Sequence, residues 1–243
     1  MQILLNMNFS PFTQFEINPL IKISSQISIS NFTIYLILSV LIVWLIIKTS
    51  VVFFLIPKNY QIMLETIYLF VLGLLLEQTG IKGIRFFPLL FTLFLFLLTS
   101  NLMGLLPFSF TITAHFGLTL LLALSFFFGW IIIGIVTLKV NFLRIFIPRG
   151  IPSWLLPLLV IIEILSFIIR PFSLAIRLFA NLLAGHILLY ILSTATISLG
   201  ILGVAPFLFI LAFFLLEFGI ALLQSYVFII LLSIYLADSF KSH

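Results

Sequence analysis

Between Ile151 and Leu236 the chain is strongly apolar, yet it carries Glu163, Arg170, Arg177, Asn181, His186, Glu217 and Gln224. An ionisable residue inside a membrane segment costs roughly 2.5–3.5 kcal/mol on insertion scales, so such residues mark an ion or proton path or pair to hold helices together. Glu163, Arg170 and Arg177 are seven apart, which keeps them on one helix face with a drift of about 20° per step. Ser173, Ala180 and Ala184 lie on the Arg177 face at −4, +3 and +7. Small residues there let another helix come close. Ordinary packing between neighbours explains them as well, but the arginine in their midst favours a partner helix that brings its own carboxylate. His186, nine residues beyond Arg177, points elsewhere, while Glu217 and Gln224, seven apart, share a face. A lone histidine on an apolar face is more often packed core. A glutamate on the paired arm argues instead for a proton relay, because imidazole titrates near neutral pH.

Elements that cross a membrane must hold these residues. Of 243 residues, 64% are hydrophobic and only 7% charged, against about 25% charged in soluble domains. A soluble enzyme, a disordered chain and a disulfide scaffold are excluded, the last also because there is no cysteine. Long charge-free runs argue against a β-barrel, whose strands alternate in polarity. Although the net charge is +5, the cations are scattered between apolar runs. They therefore read as orientation signals and not as a nucleic-acid surface.

The expected class is an all-α integral membrane protein, one membrane domain over residues 1–243. Residues 1–31 are an outer-side segment of mixed polarity without the pattern of a signal peptide. Residues 32–55 form a transmembrane helix. Residues 60–79 follow, with Asn59 as expected N-cap and Gly80 as C-cap. Glu65 and Glu77 leave eleven uncharged residues between them, too few to cross a core of about 30 Å. That segment reads as an interfacial helix, with a short imperfect span as the alternative. Residues 86–138 hold no formal charge and form a transmembrane hairpin turning near Pro107. Residues 151–236 form a second hairpin, with a break expected around Ser193 to Pro206. Its first arm, about Pro152 to Tyr190, would be roughly 58 Å long at ~1.5 Å per residue. It must lean strongly or bend at Pro171.

With the N-terminus outside, Lys48, Lys58, Lys82, Arg85, Lys139, Arg144, Arg149 and Lys241 all fall inside, and only Lys22 outside. That is a clear positive-inside bias, and it requires the segment 60–79 not to cross.

The run from Arg170 through Pro171-Phe172-Ser173-Leu174-Ala175-Ile176-Arg177-Leu178-Phe179-Ala180-Asn181 to Leu182-Leu183-Ala184-Gly185-His186 closely resembles the signature of subunit a of F-type ATP synthases, in its mitochondrial and related bacterial form. The stretch Asn101 to Pro107, Thr113-Ala114-His115, the early Ser10 to Glu16 and the spacing of Glu217 and Gln224 resemble it too. The resemblance spans nearly the whole chain. It implies a stationary proton channel whose tilted hairpin packs against a c-ring of carboxylate-bearing helices. Arg177 would be the essential arginine facing that ring, with Asn181, Gln224 and Ser173 polar near it and Arg170 a secondary basic residue. His186 and Glu217 would line an entry half-channel, with His115 at its mouth. Glu163 and Asp238 would serve the exit half-channel. Further implied partners are the other membrane-sector and peripheral-stalk subunits, the lipid bilayer and protons, but no nucleic acid.

The resemblance also implies a multi-pass protein of the mitochondrial inner membrane with its C-terminus on the matrix side, or else of a bacterial plasma membrane. No cofactor or metal is expected. No catalytic residue is expected either, since ATP chemistry would belong to other subunits and there is no phosphate-binding loop here. Two other classes share the intramembrane charges. A proton-coupled transporter or respiratory proton-pump subunit should show internal repeats or paired broken helices, and none is visible. An intramembrane protease needs a Ser-His pair or paired aspartates, but Asp238 is the only aspartate.

Overall fold

The computed structural model describes residues 12–22, 28–50, 58–106, 109–139, 142, 155–199 and 204–240. Among them are six α-helices: α1 (Asn31–Ser50), α2 (Asn59–Thr79), α3 (Phe87–Gly104), α4 (Phe116–Leu138), α5 (Leu156–Leu199) and α6 (Val204–Phe240). A short antiparallel pair, β1 (Pro19–Lys22) and β2 (Ser28–Ser30), precedes α1. The polarity pattern gave no hint of that pair. The expected end of the first span (51–55) lies outside the described residues, as do Ser10, Pro11, Pro107, Arg144, Arg149, residues 151–154 and Lys241.

Five helical stretches are long and apolar enough to cross a membrane: Asn31–Thr49, Asn59–Gly104, Phe116–Leu138, Leu156–Ser198 and Pro206–Phe240. The all-α membrane class holds. At ~1.5 Å per residue the 44 residues of α5 make a helix of about 66 Å. That is twice a core of about 30 Å, so a continuous helix of this length leans strongly in a bilayer. It stays continuous through Pro171, which is buried within it.

Local chemistry explains the boundaries. At the start of α1, the Thr33 hydroxyl accepts from the Ser30 N–H at 3.1 Å, and the Ser30 hydroxyl accepts from the Thr33 N–H at 3.4 Å. This reciprocal pattern satisfies two orphan donors. Asn59 does not cap α2. The extended Lys58 does, without a side-chain bond, because its carbonyl already accepts from Gln61 and Ile62. Gly80 ends α2 as expected, in the left-handed region with φ 65°, its N–H donating to the Leu76 carbonyl. A 3-10 turn over Gly80–Phe86 leads into α3. Of the break expected around Ser193 to Pro206, residues 200–203 lie outside the described residues, while α5 runs through the serines and threonines to Leu199 and α6 begins at Val204. The hydroxyls of Ser193, Thr194, Thr196 and Ser198 each donate to the carbonyl three residues back, at 2.6–3.0 Å. They are satisfied inside the helix and do not end it. Pro206 sits in the first turn of α6, where its missing N–H costs nothing.

Helix α6 is the centre of the bundle, packed by α2, α3, α4 and α5. Its Phe228, Ile229, Leu232 and Leu236 are buried in one cluster with Leu75 of α2, Leu90 and Leu97 of α3, and Leu174, Leu178 and Leu182 of α5. The three α5 leucines are four apart and bury one face. Ser173, Arg177 and Asn181, one residue before each, lie exposed on the adjoining face.

Candidate proton-transfer site

Three polar rungs join α5 to α6. His186 Nε2 lies 3.5 Å from Glu217 Oε1. Gln224 Nε2 donates to the Arg177 carbonyl at 3.1 Å. Arg170 Nη1 lies 3.5 Å from Asp238 Oδ2, and its Nη2 donates to Glu163 Oε1 at 3.3 Å. As the α5 number rises the α6 number falls, the register of an antiparallel pair. From Arg170 to His186 is sixteen residues, about 24 Å of helix, with Arg177 between the outer rungs.

The His186–Glu217 rung is deeply set. Glu217 is 3% exposed, and neither of its carboxylate oxygens has a hydrogen bond from the described residues. The carboxyl fits because residue 185 is glycine: a Cβ there would stand 2.7 Å from Glu217 Oε1 and 2.9 Å from its Cδ. A cavity of about 220 Å³ opens beside it, lined by Asn181, Ala184, Gly185 and Glu217 among others. At about 30 Å³ per water, it has room for several. It links the deep carboxylate to the exposed face that carries Asn181.

The Arg170 rung is a triad. One guanidinium bridges Glu163 on its own helix and Asp238 on α6, lying over Tyr235 at 5.6 Å and Phe167 at 5.9 Å. One cation thus stands between two carboxylates, a formal net charge of −1.

Arg177 differs from Arg170. Its side chain is exposed and makes no ion pair among the described residues. Ser173 and Asn181, four residues before and after it, are exposed on the same face, and Ile169 and Ile176 are exposed beside that face. A cation on an apolar membrane-facing surface is costly unless something outside the chain meets it.

His115 belongs to a separate group. It precedes α4, stacks on Phe110 with ring centroids 5.0 Å apart, and meets Phe32 edge-on at 5.5 Å. Among the described residues no hydrogen bond, ion pair or ring contact joins it to the His186–Glu217 rung. Gly185, Tyr235 and Asn101 were not singled out as site residues from sequence. Asn101 is fully buried, and its Nδ2 donates to the Ala221 carbonyl at 3.3 Å. A lone amide in a charge-free apolar run was the signal available, since burying one is costly without a partner.

Residues 29–237 match the family model described as ATP synthase A chain. Relatives named ATP synthase subunit a cover almost the whole length. The protein from Dictyostelium discoideum is 46% identical over 242 residues, 96% of this chain and 99% of its own. That from Acanthamoeba castellanii is 42% identical over 251 residues, 97% and 99% respectively. That from Paramagnetospirillum magneticum is 41% identical over 245 residues, 96% and 99%. The chain therefore belongs to the ATP synthase A chain family, the family of ATP synthase subunit a.

Proposed function

We propose that this chain is the stationary proton-channel subunit of an F-type ATP synthase, and that the three rungs divide its labour. The observation that carries this reading is Arg177, exposed on an apolar face between two paired polar rungs. That face is where a ring of helices with membrane carboxylates would pass. His186 and Glu217, with the cavity beside Asn181, form the entry half-channel. Glu163 and Asp238, held by Arg170, form the exit half-channel. Gln224 fixes the backbone under Arg177, and Ser173 and Asn181 border it. His115 stands at the outer mouth. The cation distribution puts the C-terminus inside, and α2 then lies along the inner interface. The membrane is the mitochondrial inner membrane, or a bacterial plasma membrane, since relatives occur in both kinds of organism.

The test is purification of the native complex in mild detergent with mass spectrometry of the co-migrating chains. Ring and catalytic-head subunits are expected. A chain running alone, or with respiratory subunits, would overturn the reading.

Gly185 offers a sharper check on the entry rung. Gly185→Ala puts a methyl carbon 2.7 Å from Glu217 Oε1, so the carboxyl must shift from its place beside His186. Proton flux through the assembled membrane sector should fall several-fold. Adding Glu217→Asp shortens the acid by a methylene and should restore part of the flux. Unchanged flux in Gly185→Ala would show that the position of the carboxyl does not matter.

A further inference from the structure

Residues Phe12–Asn18 lie outside the helical bundle, yet they are tied to it at two points. The first is Asn31, where α1 begins. Asn31 Oδ1 accepts from the Asn18 N–H at 3.2 Å, Asn31 Nδ2 donates to the Glu16 carbonyl at 3.0 Å, and the Asn31 N–H donates to the Asn18 carbonyl at 3.2 Å. One asparagine thus uses its side-chain donor, its side-chain acceptor and its backbone donor on a single three-residue stretch. Its own position is fixed by the reciprocal bonds between Ser30 and Thr33. The second point is Phe15. Its N–H donates to the Phe12 carbonyl at 3.0 Å, which closes a turn. Its ring is half-buried against the core and meets the His186 imidazole edge-on, with centroids 6.3 Å apart and planes at 79°.

This contact matters because of what His186 must do. Its Nε2 lies 3.5 Å from Glu217 Oε1 without a hydrogen bond to hold it there. An imidazole turns about two side-chain bonds, and a proton passes between the two groups only while Nε2 faces the carboxyl. Edge-to-face contact with an aromatic ring favours one ring orientation over others.

We propose that Phe15 is a positioning residue for proton entry: held in place by Asn31, it sets the His186 ring so that Nε2 faces Glu217. The inference rests on the stator reading, in which His186 and Glu217 pass protons. The N-terminal segment is then a working part of the path and not only a leader to the first membrane helix.

The experiment uses the assembled complex in vesicles with the catalytic head removed. Passive proton flux is driven by a fixed potential and normalised to the amount of this chain present. Phe15→Tyr keeps an aromatic edge and should keep wild-type flux. Phe15→Leu fills similar space without one, and flux should fall roughly five- to tenfold at normal assembly. Asn31→Ala cuts the tether and should fall in the same way. In a His186→Ala background, Phe15→Leu should add nothing, because the ring it positions is gone. Wild-type flux in Phe15→Leu, equal losses in the Tyr and Leu variants, or additive losses with His186→Ala would each overturn the proposal. If Phe15→Leu does not assemble, Asn31→Ala and its combination with His186→Ala decide by the same criteria. Intact flux in both His186→Ala and Glu217→Ala would instead overturn the stator reading beneath it.

Discussion

Arg177→Ala is expected to abolish ATP-driven proton pumping while the catalytic head continues to hydrolyse ATP. An unpaired carboxylate facing lipid is expensive, so a passing membrane carboxylate stays protonated until something offsets its charge. A guanidinium 4 Å away contributes about 4 kcal/mol at an effective dielectric near 20. At 1.36 kcal/mol per pK unit, that shifts the balance between ionised and protonated forms by about a thousandfold. The attraction is strong enough to release the proton and weak enough to let the carboxylate move on. On the proposed reading, alanine would remove both that attraction and the fixed positive charge that would keep protons from passing directly between the Arg170 and His186 rungs. Two readouts should change together: ATP-driven acidification of vesicles should vanish, and passive leak should rise. Arg177→Lys keeps the charge as a compact, strongly hydrated ammonium without the planar fork, and should restore little coupling. Wild-type acidification by Arg177→Ala would remove this residue from the mechanism.

The exposure of Arg177 separates this role from a structural one. Arg170 shows what a structural arginine in this hairpin looks like: paired with Glu163 and Asp238 and covered by Tyr235 and Phe167. Arg177, one heptad along the same helix, has no such partners among the described residues, and the small and apolar side chains around it leave it open to a neighbour. The two arginines are indistinguishable by residue type. What divides them is that the α6 residue opposite Arg170 is an acid, whereas the one opposite Arg177 is Gln224, which bonds the Arg177 backbone and leaves its side chain alone.

That distinction marks how far the sequence could be read. Helices α3 and α4 were visible because charge-free apolar runs of such length have few other solutions in lipid, and α5 and α6 because their runs stay strongly apolar around a few charges. The seven-residue spacings set Glu163, Arg170 and Arg177 along one face by the helical repeat; in the structure Arg170 donates to Glu163, while Arg177 makes no ion pair among the described residues. Helix ends were less legible. Ser193 to Ser198 look like a break by composition, but their hydroxyls bond within the helix and continue it. Asn59 looks like a cap, yet the backbone turn closes one residue earlier. Contacts between distant segments were not legible at all. The fit of Gly185 to Glu217 depends on the register of α5 against α6, and the contact of Phe15 with His186 depends on a hairpin whose strands are only four and three residues long.

The second large effect is expected at the His186–Glu217 rung. Glu217→Gln keeps the shape and polarity of the side chain but cannot give up a proton at physiological pH. If Glu217 is a relay, proton flux through the head-stripped membrane sector should fall roughly 10²-fold, the scale of a lost acid–base step. His186→Ala should fall less, because the adjoining cavity of about 220 Å³ has room for water that would carry protons to the carboxyl. The double variant should be no worse than Glu217→Gln alone, since the two groups are in contact and act in series. Leak should stay low in all three variants, because Arg177 is untouched. A purely structural His186–Glu217 pair predicts a different outcome. Glutamine would hold the helices about as well as glutamate, so Glu217→Gln would leave flux unchanged, while His186→Ala would reduce the amount of assembled chain without lowering the flux per chain. Flux per assembled chain, measured in the three variants side by side, separates the two accounts.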